Sequence, residues 1–95
     1  MKREQFIQGG KSVDRRARNE RKFGHWQDIP GGGRRYWHDV PGKGGWRARY
    51  VKEVDAEENT TRFCQEIYDA AGQKVEVHLK FPYDTGHRPV EEVNR

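Results

Sequence analysis

The spacing of apolar positions changes character at Gly24. Before it, residues 11–23 place Val13, Ala17 and Phe23 on one thin apolar stripe among basic and polar neighbours, which predicts the chain's one helix. Ser12 is the expected N-cap, and Asp14 sits early, where the helix dipole favours an anion. Basic residues crowd the last turns, and Gly24 is placed to end the helix. So polar a helix draws little stability from burial, and is expected to be frayed or ordered only by a partner. Residues 1–10, closed by Gly9 and Gly10, read as a flexible tail.

From His25 onward the period becomes two, the signature of strands. His25 to Ile29 is short and stops at Pro30; Arg34 to Val40 follows the flexible turn Gly31-Gly32-Gly33. Trp46, Ala48 and Tyr50 share one face of the next segment, and Arg47, Arg49 and Val51 the other. Thr60 to Tyr68 is rich in β-branched and aromatic types. Gly72 is placed for the positive φ of a hairpin loop at 69–73. Lys74 to Phe81 alternates cleanly, with Val75, Val77, Leu79 and Phe81 on one side and Lys74, Glu76, His78 and Lys80 on the other. Every loop is of hairpin length, so neighbouring strands should pair antiparallel.

The expectation is an α+β domain: a basic N-terminal helix over 11–23, then a four- or five-stranded antiparallel meander over 25–81, then a polar C-terminal tail over 82–95. The strands' apolar side, with Phe63 and Ile67 added, forms an inner face that the helix and the tryptophans should cover. If they leave it open, the strands must curl into a barrel or the chain must form a homodimer.

Length and composition narrow this further. Ninety-five residues make one domain with a modest core, and 36% of them are charged against about 25% in an average domain. No apolar run nears the roughly 20 residues of a membrane-spanning helix, and the first ten residues lack the apolar stretch of a secretory signal. No membrane association is expected, and cytoplasmic residence is the default. The single Cys64 allows no internal disulfide and reads as a small buried hydrophobe. Charge is unevenly spread. Residues 1–24 hold eight basic and three acidic residues, 25–52 six and two, and 53–95 five and ten. A chain with +9 in its first 52 residues and −5 in the rest suits a polyanion, or a partner docked through opposite charge.

Candidate chemistry is sparse. His25, His38, His78 and His87 have no zinc-like spacing, so no metal and no cofactor are expected. Gly31-Gly32-Gly33 lacks the ending of a phosphate-binding loop, and no nucleophile elbow occurs. The informative stretch is basic and aromatic, residues 34–52. Arginine gives bidentate phosphate contacts and aromatic faces stack on bases, a combination suited to single-stranded RNA. The candidate nucleic-acid-binding residues are Arg34, Arg35, Arg47, Arg49 and Lys52, with Lys80 added from the later strand. The competing reading makes Trp37, Trp46 and Tyr50 core and the arginines an ordinary solvated face.

A helix followed by an antiparallel meander bearing Arg, Lys, His and Glu resembles the small bacterial ribonuclease toxins of the RelE-type and barnase-like group, over roughly residues 11–81. The stretches Trp46 to Asp55, Gln65 to Asp69 and Asp84-Thr-Gly-His87 also look similar to short uncharacterised bacterial proteins. The toxin resemblance implies metal-independent RNA cleavage, in which a base activates the 2′-OH, cations stabilise the phosphorane and an acid serves the leaving oxygen. If the chain is catalytic, His78 is the expected acid or base, because imidazole exchanges protons near neutral pH and this strand is the most clearly two-faced. Glu76 is its expected partner, Arg47 and Arg49 the phosphate clamps, and His87 the alternative catalytic histidine. The contrasting function is a non-enzymatic, antitoxin-like or regulatory module that docks an acidic protein partner.

Overall fold

The computed structural model describes the backbone of residues 2–90 and the side chains of residues 13–90; Ser12 as a cap and the end of the polar tail, 91–95, fall outside these. Helix α1 runs Lys2–Phe23, so the segment expected to be a flexible tail is helical from Lys2. Gly9 and Gly10 each cost a helix about 1 kcal/mol relative to alanine, although Glu4, Gln5, Gln8 and Lys11 around them are good helix formers. Gly24, at φ 82°, ends the helix with its N–H on the Glu20 carbonyl.

Six strands follow: β1 His25–Asp28, β2 Arg34–Pro41, β3 Arg47–Val54, β4 Thr60–Tyr68, β5 Lys74–Phe81 and β6 Gly86–Pro89. They form one open antiparallel sheet in the order of the chain, a meander that does not close into a barrel. The expected architecture of one helix and an antiparallel meander is therefore present, with six strands where four or five were expected. The extra strand, β6, comes from the segment read as a tail. Gly-His-Arg-Pro has no apolar alternation, and its strand geometry comes from pairing with β5, not from its own pattern.

The hairpins form as their residues dictate. Asp69 accepts the N–H groups of Ala71 and Gln73 and lets Gly72 adopt φ 85°. Asp55 caps the 55–59 turn in the same way through Glu57 and Asn59.

Both faces of the sheet carry a small apolar cluster, and here the sequence expectation needs correcting. Phe23, Tyr36 and Val54, with Tyr50 and Phe63 against them, pack on the face that meets α1. Val51, Cys64, Val77 and Leu79 pack on the other face, with Trp37 and Val90. The expected inner face is thus split: Val77 and Leu79 lie on one side, Phe63 and Ile67 on the other. Register is the reason, since Cys64 pairs with Leu79 and Glu66 with Val77, while Gln65 pairs with His78 and Ile67 with Glu76. An irregularity between Phe63 and Cys64 then sets Phe81 opposite Phe63, partly exposed. Trp46 is exposed, and Trp26, itself largely exposed, reaches only the edge of the α1-face cluster, its ring 6.4 Å from that of Tyr36.

The helix is anchored at its C-terminal end by a polar node. Glu58, at φ 70° in the 55–59 turn, is only 4% exposed. Its carboxylate accepts from the Tyr36 hydroxyl and from Asn19 Nδ2 at 3.2 Å, with Arg16 Nε at 3.4 Å. A buried carboxylate is tolerated only when so surrounded.

Candidate nucleic-acid interface and histidine pair

Strand alternation sorts the candidate residues by face. Arg35, Arg47 and Arg49 point away from α1, and Arg34, Lys52, Glu76, His78, Lys80 and His87 lie on the α1 face. The expected team of His78, Glu76, Arg47 and Arg49 is therefore not assembled. Arg49 shares a cross-strand row with Glu66 and Val77, one residue out of step with the row of Tyr50, Gln65 and His78.

The arginines are also already occupied. Arg49 holds Asp39 through Nε at 2.7 Å and Nη2 at 3.0 Å, and Arg47 adds a contact at 3.7 Å. The Arg49 bonds hold the Asp39 carboxyl below the usual range. Arg35 pairs with Glu53 at 2.7 Å, and Arg34 with Glu20 at 2.7 Å and Asp28 at 3.4 Å. Arg49 further lies over the rings of Trp37 and Tyr68, and Arg47 over Tyr68 at 4.4 Å. The face away from α1 does hold an open groove of about 740 Å³, with Arg62 and the Lys74–Glu66 pair among its walls. Its cations are largely matched by carboxylates. Burial and then the bond to Glu66 push the Tyr68 phenol up to about 12.

On the α1 face the lysines behave differently. Lys52 and Lys80 form no ion pair with a carboxylate among the described residues. Lys52 donates to Asn19 Oδ1 at 3.1 Å and lines a shallow cleft of about 440 Å³ with Arg15, Arg18 and Lys22. Burial, and then the Lys22 charge, lower the Lys52 pKa, while Glu58, which lines the same cleft, acts to raise it. Lys80 lies next along the sheet, its Nζ 5.4 Å from the Tyr50 ring centre and 5.8 Å from that of Phe63. Cations and aromatic rings thus alternate from the cleft towards β5.

That stripe ends at the histidines. His78 and His87 are register partners on β5 and β6, with ring centres 4.7 Å apart. Each has its own carboxylate: His78 Nε2 lies 2.6 Å from Asp84 Oδ1, and His87 Nδ1 lies 3.2 Å from Glu76 Oε1. The turn before β6 fixes this geometry. Asp84 also accepts the Gly86 N–H at 2.8 Å, and Thr85 bonds back to both backbone groups of Leu79. The Gly86 bond first, and the His78 bond second, hold the Asp84 carboxyl below its ordinary range.

The two histidines are not equivalent. His78 is the more enclosed, and its Nδ1 is buried without a partner. His87 is half exposed; its Nδ1 lies near Glu76 without a hydrogen bond, and its Nε2 has no partner among the described residues. At His78 the bond to Asp84 sets which ring nitrogen carries the proton. Asp84 is the residue the sequence reading missed; its place six residues after His78 is a signal only once the 82–85 turn is known to fold back. No group of three or more His, Cys, Asp or Glu side chains among the described residues is arranged to hold a metal ion.

Compared with known proteins, the chain matches no family, no curated protein and no solved structure.

Proposed function

We propose that this protein binds single-stranded RNA along the α1 face of its sheet and cleaves it at the histidine pair. The observation that carries the reading is two imidazoles 4.7 Å apart, each with a carboxylate beside it, at the end of a stripe of aromatic rings and of lysines that form no ion pair among the described residues. Such a pair supplies both halves of acid–base catalysis. His87 Nε2 takes the proton of a ribose 2′-OH, and Glu76, 3.2 Å from Nδ1, stands by the imidazolium that forms. The 2′-oxygen attacks phosphorus, the bond to the 5′-oxygen breaks, and that oxygen takes from protonated His78 the Nε2 proton otherwise held on Asp84, since Nδ1 is buried. The products are a 2′,3′-cyclic phosphate and a 5′-hydroxyl. Lys80 stands beside the pair to face the charge that develops on the phosphoryl oxygens. This assignment gives His87 the leading role and keeps His78 and Glu76 as its partners. It accords with the resemblance to metal-independent ribonuclease toxins.

The test is cleavage of a labelled single-stranded RNA in the presence of a chelator. Wild type should cut and leave cyclic phosphate ends, because acid and base are both side chains. His87→Ala and His78→Ala should each lose at least about 100-fold, the lower end of what an acid or base contributes. The rate should be bell-shaped in pH, since one imidazole must be neutral and the other protonated. RNA that is bound but never cut would leave the protein as a binding module. Failure to bind at all would favour the partner-docking alternative.

A further inference from the structure

The shallow cleft between α1 and the β3–β4 turn lies away from the histidine pair, and the fold sets its walls. Arg15, Arg18 and Lys22 fall three and four residues apart on α1, so one stripe of the helix presents all three. Lys52 forms the β3 side of the cleft. Its ammonium is held in place: Nζ donates to Asn19 Oδ1 at 3.1 Å, and the buried Asn19 donates through Nδ2 to Glu58. Arg15 braces the turn through Asn59 Oδ1 at 3.1 Å.

Glu58 is the carboxylate among the lining residues, and it is already satisfied. Its side chain is only 1% exposed and accepts from Tyr36, Asn19 and Arg16. Arg15, Arg18, Lys22 and Lys52 form no ion pair among the described residues. An ammonium has three donors, so Lys52 keeps two beyond the bond to Asn19. Cations gathered round a satisfied, buried carboxylate suit a phosphate, whose oxygens accept from several donors at once.

The cleft also stands at a defined separation from the histidines. Lys52 and Tyr50 are two residues apart on β3, and the Tyr50 row crosses Gln65 to reach His78. At about 3.4 Å per residue and about 4.8 Å per strand, Lys52 stands roughly 12 Å from His78 along the sheet. Lys80, over the rings of Tyr50 and Phe63, lies between them. A single strand that tracks these cations covers the span in about two nucleotide steps.

We propose that this cleft is a phosphate subsite, in which Lys52, Arg18 and Lys22 grip the RNA backbone about two nucleotides from the cleaved bond. The proposal rests on the α1 face being the RNA-binding face, and it adds which phosphate is held and by which side chains. The contact is remote from the reacting atoms, so it acts on substrate binding and not on the chemical step.

The experiment uses deoxyribonucleotide hexamers with one central ribonucleotide, so that a single bond can be cut. One phosphate at a time is replaced by a neutral methylphosphonate. In the wild-type protein, neutralising the linkage about two steps from the cut, on one side, should raise KM about tenfold and leave kcat within about twofold. In Arg18→Ala/Lys22→Ala the fully charged hexamer should show the raised KM, and neutralising that linkage should change it by less than about twofold. Lys52→Met should give the same pattern. Indifference to every linkage except those beside the cut, or a sensitivity that persists in both variants, overturns the proposal. In a protein that never cuts, affinity for the same hexamers replaces KM. A loss at one neutral linkage that disappears in Arg18→Ala/Lys22→Ala then upholds the subsite and removes only the cleavage. Hexamers that do not bind at all overturn both readings.

Discussion

At the scale of single residues, hydrogen-bond partners decide which charges are available. Asp39 occupies two arginines that the sequence offers as phosphate clamps, and no pattern in residues 34–52 announces this, because the pairing depends on the β2–β3 register. The pair also sets a pH dependence. A carboxyl held low in the folded protein contributes stability that is complete above the unfolded value of about 3.9 and is lost as pH falls through the lower folded value. Asp39→Asn should therefore be less stable than wild type at neutral pH, by no more than about 1 kcal/mol given its partial exposure. Urea titrations carried down to about pH 2 should show the gap closing. Tyr36 has more at stake, being fully buried with its hydroxyl on Glu58; burial, then Glu58, push the phenol up to about 12. Tyr36→Phe keeps the packing but leaves the carboxylate short of a donor, and should cost about 1–3 kcal/mol in denaturant unfolding. Glu58 itself reads as an exposed turn residue, and only the tertiary fold buries it.

At the scale of elements, strong alternation and turn chemistry were legible, whereas tertiary pairing was not. β3, β4 and β5 announce themselves through period-two patterning, and the hairpin at 69–73 through Gly72. β6 has no such pattern and exists through its bonds to β5, yet it supplies one of the two histidines. The candidate site was accordingly half legible. His78, Glu76, Lys80 and His87 could be named, but not the row that joins them or the Asp84 that orients it. One turn makes a tighter demand than its sequence suggests. A Cβ on Gly33 would lie 2.2 Å from the Val54 carbonyl oxygen, a backbone atom that cannot swing aside. Gly33→Ala should force β2 away from the end of β3 and cost about 1–3 kcal/mol. Gly31→Ala serves as the contrast: a Cβ there meets nothing within 4 Å, so its cost comes only from φ 89°. Thermal unfolding of the two variants distinguishes steric contact from backbone strain.

At the scale of the whole molecule, the charge asymmetry of the sequence does not become a direction across the sheet. Residues 60–90 hold four basic and four acidic residues, and four of the second half's ten acidic residues fall in 53–58, next to a turn that docks on α1 through Glu58 and Asn59. The proposed RNA track therefore depends on its local cations. Binding through the cleft cations and Lys80 should weaken with salt, at about −0.7 in log K per log salt for each phosphate engaged on a single strand. Four contacts predict a slope of about −3, and Lys80→Ala should flatten it by about 0.7. A mobility-shift series across salt concentrations reads both. Affinity that ignores salt would count against the electrostatic track. The described residues contain no helix long and apolar enough to cross a membrane.

Alternation also limits where this chain can change its length. Neighbours in sequence serve opposite faces: Arg49 and Tyr50, Gln65 and Glu66, Val77 and His78. Losing or gaining one residue inside β4 or β5 would send Gln65 or His78 to the groove side and bring Glu66 or Val77 to the α1 side in the same step. Such a change cannot damage one face and spare the other. Insertions and deletions should therefore survive only in the connecting turns and at the three places where the ladder already slips: Glu53/Val54, Phe63/Cys64 and Ile67/Tyr68.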